Sequence, residues 1–231
     1  MIDVLIEKFD MPEEVLPKKL DSLSSLNLSG ENISNLTGIE YCTSLTSLML
    51  DDNEIRDISD LEGLTSLTHL YLNNNRIRDL SALGNLTSLD TVFLSDNEIK
   101  DVSPLSGLTS LKRLYLNNNR INDISTLENL SSLTNLMLDN NEIREVNALS
   151  KLTSLKRLFL NNNKINDASA LRNLTSLKQL KLDNNEDSVV SNSVNLTSQS
   201  NPKSGHGCLS FSLFVFLFFM GGMGYVLWPI L

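Results

Sequence analysis

The chain copies itself at a fixed interval. Leu20, Cys42, Leu64, Leu86, Leu108, Leu130, Leu152 and Leu174 follow one another every 22 residues, and no insertion breaks the register. A unit that short cannot bury an apolar face alone, so successive units must stack and share one continuous core. The unit opened by Leu64 shows the skeleton: Leu64, Leu67, Leu70, Leu72, Asn75, Ile77, Leu80 and Leu83, which the other units repeat closely. Alternation around Leu70 and Leu72 suits a short strand with both leucines turned inward, and Asn75 falls where the chain must turn out of that strand.

Asn53, Asn75, Asn97, Asn119, Asn141, Asn163 and Asn185 occupy that same turn position. An asparagine buried there hydrogen-bonds backbone groups otherwise left unpaired between adjacent turns, so the column is expected to form a structural side-chain ladder. The skeleton resembles the 22-residue class of leucine-rich repeats, found in bacterial internalins and in a regulatory subunit of eukaryotic protein phosphatase 1. The stretch from Asp101 to Thr109, reading Asp-Val-Ser-Pro-Leu-Ser-Gly-Leu-Thr, is especially internalin-like. The resemblance spans residues 20 to 185. It implies an α/β repeat solenoid, a horseshoe with a parallel β-sheet on its concave face. It names no target, because the family shares a scaffold and differs in what it binds.

The repeats divide the chain. Residues 1–19 are expected to cap the open end of the solenoid, with a short helix from Ile2 to Phe9 and a second helical start at Pro12. Residues 20–187 hold about seven and a half units. The first unit carries Glu31 at the ladder position, and Asp187 replaces the skeleton's isoleucine at the far end. Residues 188–207, rich in Ser and Asn, read as a flexible polar spacer. Residues 208–231 run 24 positions without a charge, long enough to cross a hydrocarbon core of about 30 Å as one C-terminal transmembrane helix.

Side chains in a strand alternate between faces, so the residue between two inward leucines points onto the concave face. That column reads Met49, Tyr71, Phe93, Tyr115, Met137 and Phe159, a stripe of large apolar side chains on the order of 25 Å long and expected to stand open to solvent. A contiguous patch of that kind marks a protein-binding site, and aromatic residues, Met and Arg are enriched at interface centres. The flanking column places His69, Arg113 and Arg157 beside the stripe. Stacking of neighbouring strands is the alternative reading of the same aromatics.

Two further columns carry charge. Glu54, Arg76, Glu98, Arg120, Glu142, Lys164 and Glu186 alternate in sign, which suits pairing along one rim. Asp57, Asp79, Asp101, Asp123, Glu145 and Asp167 share one sign, which suits either solvated turns or attraction of a cation or basic partner. The chain as a whole is acidic, with a net charge of -9, and it has no Lys/Arg run able to neutralise a phosphate backbone, so nucleic acid is set aside as a partner.

Catalytic chemistry has little material. The histidines are His69 and His206 and the cysteines Cys42 and Cys208, too scattered for a nucleophile with its base or for a metal cluster. No enzyme activity, cofactor or metal is expected. Cys208, at the edge of the apolar segment, is a candidate for lipidation, with a passive cysteine as the alternative.

The N-terminal stretch interrupts every apolar run with a charge and so lacks the features of a secretory signal. The expectation is therefore a single-pass C-terminal anchor with the repeats in the cytosol, in a scaffold that binds a protein partner on its concave face. One alternative is a regulatory subunit of an enzyme such as a protein phosphatase. Another is a surface adhesion or receptor-like protein whose apolar tail is a glycolipid-anchor signal. A purely structural protein that self-associates through the stripe is a further reading.

Overall fold

In the computed structural model, Leu5 and residues 20–186 are described. The bulk of the expected N-terminal cap, the spacer, the anchor segment, Asp187, His206 and Cys208 lie outside the described residues. Leu5 is fully buried and belongs to the same apolar core as the repeats.

Eight strands of three residues form one open parallel sheet in chain order: β1 (Ser25–Asn27), β2 (Ser47–Met49), β3 (His69–Tyr71), β4 (Thr91–Phe93), β5 (Arg113–Tyr115), β6 (Asn135–Met137), β7 (Arg157–Phe159) and β8 (Gln179–Lys181). Each strand meets the next one whole repeat away, so Leu70 lies opposite Leu48 and Val92, and Tyr71 opposite Met49 and Phe93. Identical positions therefore line up as columns across the sheet. Behind it, Leu64, Leu67, Leu70, Leu72, Ile77, Leu80 and Leu83 are all essentially inaccessible, as are their counterparts in the other central units. Burying a leucine of this kind contributes about 1.5–3 kcal/mol, and every central unit contributes a full set.

Each unit leaves its strand through one left-handed residue. Asp52, Asn74, Asp96, Asn118, Asn140, Asn162 and Asn184 have φ between 54° and 58°, and Gly30 stands at the same place in the first unit with φ 73°. Gly, Asn and Asp are the residue types that tolerate this conformation, so the composition of the column follows from its backbone.

The next residue is the ladder asparagine. Asn97 accepts from the Ile77 amide at 3.0 Å and donates through Nδ2 to the carbonyls of Leu72 and Leu94 at 2.9 and 3.2 Å. Asn53, Asn75, Asn119, Asn141, Asn163 and Asn185 make the same set of bonds. Each asparagine thus serves the unit before its own. Glu31 stands at this position in the first described repeat.

The return path differs from the α/β expectation. Among the described residues it is made of 3-10 turns, from Ile39–Tyr41 in the first unit to Ser169–Asn173 in the last complete one. The strand and the asparagine turn use up most of a unit, and segments of three to five residues remain. These close the tighter three-residue bonds, such as Leu83 N to Leu80 O at 2.9 Å and Leu86 N to Leu83 O at 3.0 Å, and are too short for an α-helix.

The acidic column enters these turns and serves them. Asp57, Asp79, Asp101, Asp123 and Asp167 each accept from the amide two residues on at 2.7–2.9 Å. Glu145, one methylene longer, makes instead a 3.4 Å contact with the Asn147 amide group. Hydrogen bonds from Ser81, Ser125 and Ser169 hold the carboxyls of Asp79, Asp123 and Asp167 below their ordinary range.

Candidate recognition surface

Met49, Tyr71, Phe93, Tyr115, Met137 and Phe159 occupy one register column on the sheet face opposite the inward leucines. Their expected openness to solvent is corrected. Met137 is 7% exposed, the other five are half-buried, and among the described residues the large apolar side chain standing in solvent is Tyr41, at a return turn. The cause is strand spacing. Strands about 4.8 Å apart hold neighbouring rings at stacking distance, so each ring covers the face of the next and leaves its edge outward. The Tyr71 and Phe93 centroids lie 4.8 Å apart with planes within 10°, and those of Phe93 and Tyr115 lie 4.3 Å apart within 7°. Lys181 Nζ sits 4.6 Å from the centre of the Phe159 ring.

The flanking column is less uniform. His69 is half-buried, with Nδ1 2.9 Å from Thr68 Oγ1. Arg113 is held in place: its Nε donates to the buried Thr91 hydroxyl at 3.0 Å, and its terminal nitrogen meets Asp90 at 3.3 Å. Asp90 also receives Lys112 at 2.6 Å. Partial burial raises the Asp90 carboxyl, but hydrogen bonds from Lys112, Thr91 and Arg113 outweigh it and hold the group at about 2. Arg157 is exposed, and no hydrogen bond or ion pair engages its side chain among the described residues.

Two columns that the skeleton did not single out complete the face. Asp51, Asn73, Asn117, Asp139 and Asn161 each accept, through Oδ1, the backbone amide one repeat further on, at 2.8–3.2 Å. Burial raises the carboxyls of Asp51 and Asp139, against the lowering effect of the bonds from Asn73 and Asn161. Beside this column, the left-handed residues bond to one another: Asn118 to Asp96 at 2.8 Å, then Asn140 to Asn118, Asn162 to Asn140 and Asn184 to Asn162 at 2.6 Å. Asn74 bonds back to Asp52 at 2.8 Å. The signal was present in the sequence, as two positions filled almost throughout by Asn or Asp.

Along the rim, opposite charges pair two units at a time. Glu54 meets Arg76 at 3.2 Å, Glu98 meets Arg120 at 3.6 Å and Glu142 meets Lys164 at 2.8 Å. Across the first intervening junction Glu98 is taken by Arg78 at 2.6 Å instead. The array is therefore built from doubled units as well as single ones.

A family model for leucine-rich repeats, two copies to a match, fits residues 43–86, 65–107, 87–129, 109–151 and 131–173, overlapping windows that together span more than half of the chain. The chain belongs to the leucine-rich-repeat family. Among solved structures, an internalin (inlF) from Listeria monocytogenes is 35% identical with a TM-score of 0.61, over 73% of this chain and 56% of that one. An internalin C2 from the same organism is 34% identical with a TM-score of 0.60, over 72% of this chain and 83% of that one. The leucine-rich-repeat chain thus spans little more than half the length of the first of these structures. No curated protein matches it. Leucine-rich-repeat proteins generally mediate protein–protein interaction, and the family is typically a non-enzymatic scaffold. Among the described residues no His, Cys, Asp and Glu cluster of three or more is placed to hold a metal ion.

Proposed function

We propose that this leucine-rich-repeat protein is a membrane-anchored recognition scaffold that binds a protein partner on its sheet face. The observation that carries the reading is a contrast among columns of one repeat. The turn columns hold nearly the same residue in every unit and direct their polar atoms into the array. The strand column from Ser47 to Gln179 reads Ser, His, Thr, Arg, Asn, Arg and Gln, a different chemistry in nearly every unit. Copies that must agree for stability agree, and the copies on the sheet face do not. Aromatic edges at Tyr71, Tyr115 and Phe159 with guanidinium groups at Arg113 and Arg157 supply the residue types that anchor protein interfaces.

The membrane part of the proposal rests on the uncharged stretch of residues 208–231. With the array on the cytosolic side, a partner would be a cytosolic protein.

A photocrosslinking residue placed at position 115, on the sheet, and separately at position 148, in a return turn, tests the recognition surface in cells of origin. A discrete protein adduct from position 115 and none from position 148 is expected. Adducts from position 148 alone would overturn the reading. Protease protection with glycosidase treatment of intact cells tests sidedness, where a protected, unglycosylated array is expected. An array cleaved from outside and carrying glycans would place it at the cell surface instead.

A further inference from the structure

The two halves of the sheet face differ in charge. In the two columns that open the strands, the first four repeats contribute Ser24, Thr46, Thr68 and Asp90, then Ser25, Ser47, His69 and Thr91. The last four contribute Lys112, Thr134, Lys156 and Lys178, then Arg113, Asn135, Arg157 and Gln179. Backbone bonds between successive units tie Lys112, Thr134, Lys156 and Lys178 into one row, at 2.8–2.9 Å. Five cations therefore gather where the last strands of the sheet begin, in a chain whose net charge is -9.

The acids that face this row are few. Asp90 engages Lys112 and Arg113, and Asp139 draws Lys181 electrostatically. Lys156, Arg157 and Lys178 are exposed, and no carboxylate engages them among the described residues. Elsewhere among the described residues Arg76, Arg78, Arg120, Lys151 and Lys164 are paired, and the cations without an ion pair, Arg56, Lys100, Arg144 and Arg172, stand one to a repeat outside the strand columns. Lys156 and Lys178 immediately precede β7 and β8 and are joined by the Lys178 N to Lys156 O bond at 2.8 Å, while Arg157 and Phe159 are the first and last residues of β7.

We propose that the partner presents an acidic segment, and that this segment lies across β5 to β8 on Lys156, Arg157 and Lys178, with Phe159 and Tyr115 beneath its side chains. The inference rests on the recognition reading above and names the chemistry of its partner. An unpaired cation on a broadly acidic protein steers acidic groups to one place, because the rest of the surface repels them. A nucleic acid offers the same charge, but its continuous phosphates would meet that repelling surface on every side of a row this short. An acidic protein segment can confine its carboxylates to the row.

The test uses the full chain in detergent and a fluorescent Glu/Tyr peptide, with a Gln/Tyr peptide of equal length and a single-stranded DNA as comparison probes. Anisotropy at low salt should show the Glu/Tyr peptide bound about tenfold more tightly than either comparison probe, a preference that fades as salt screens the charges. Lys156→Gln, Arg157→Gln and Lys178→Gln together should abolish that preference. Lys100→Gln, Arg144→Gln and Arg172→Gln, an equal charge change outside the strand columns, should preserve it. Retention of the preference by the first variant, or DNA bound as tightly as the acidic peptide, would overturn the proposal. Crosslinking from position 115 separates the two readings. An adduct undiminished by the Lys156, Arg157 and Lys178 changes refutes the acidic segment alone, whereas no adduct in the unsubstituted chain refutes recognition on this face.

Discussion

The asparagine turn and the sheet face come from the same repeat, a few residues apart, yet they treat their polar atoms in opposite ways. At the turn, Asn53 to Asn185 direct side-chain amides to backbone groups of the preceding unit, and the flanking columns bond forward or sideways to their own copies. On the face, Lys156, Arg157 and Lys178 direct theirs to solvent. A polar group that completes the backbone network must be the same in every unit, because every unit presents the same unpaired groups. A polar group that faces outward is free to vary, and in the function proposed above that variation among copies is what suits the face to recognition.

The sharpest way to break this contrast is at the centre of the ladder. Asn119→Leu removes the acceptor for the Ile99 amide and the donor to the Leu94 and Leu116 carbonyls, all in a place closed to water. A loss of about 4 kcal/mol is expected from denaturant unfolding, because several buried backbone groups lose partners together. A loss under about 1 kcal/mol would show that the ladder is dispensable and that apolar packing alone sets the register.

On the face, the aromatic stripe stands between the two extremes. Phe93→Ala removes the ring that stacks on both Tyr71 and Tyr115 and should cost about 2 kcal/mol, less than a fully buried ring because one edge is already in water. Arg157→Gln should leave the melting temperature unchanged.

Two carboxylates sharpen the comparison through pH. Asp90 is held at about 2 in the folded chain because its bonds from Lys112, Thr91 and Arg113 outweigh desolvation. A depressed folded value means that its contribution is fully present above about pH 4 and is lost as pH falls toward 2. Asp90→Asn should therefore lower stability by about 1 kcal/mol at neutral pH, after allowance for solvent around its exposed partners, and by nothing at the acid limit. Asp139 behaves in the opposite sense. Burial raises its carboxyl, so its ionised form is a burden that disappears on acidification. Asp139→Asn keeps the acceptor for the Asn161 amide and should raise stability by about 0.5 kcal/mol at neutral pH, with the gain vanishing below the ordinary carboxylate range.

Repeat length, strand position and the inward leucines were legible because each is a periodic property, and a column repeated at every unit survives any uncertainty about one residue. The left-handed column and the forward-bonding column were equally periodic, but their meaning depends on backbone conformation, which a row of Asn and Asp does not announce. The basic row was hidden differently: Lys112, Lys156 and Lys178 are separated in the chain by two repeat lengths and by one, and no local run of cations betrays them.

By itself, the sequence determined that the chain must stack, which side chains turn inward, and that one asparagine per unit sits at the turn, because burial and period leave no other arrangement for a unit this short. Only the tertiary structure decided that the return path is 3-10, that the aromatic stripe covers itself by stacking, and that Arg113 is tied to Asp90 while no described carboxylate engages Arg157. Those outcomes depend on distances between neighbouring units, set by strand spacing and by which charges fall within reach across a repeat, and neither quantity is a property of any single stretch of chain.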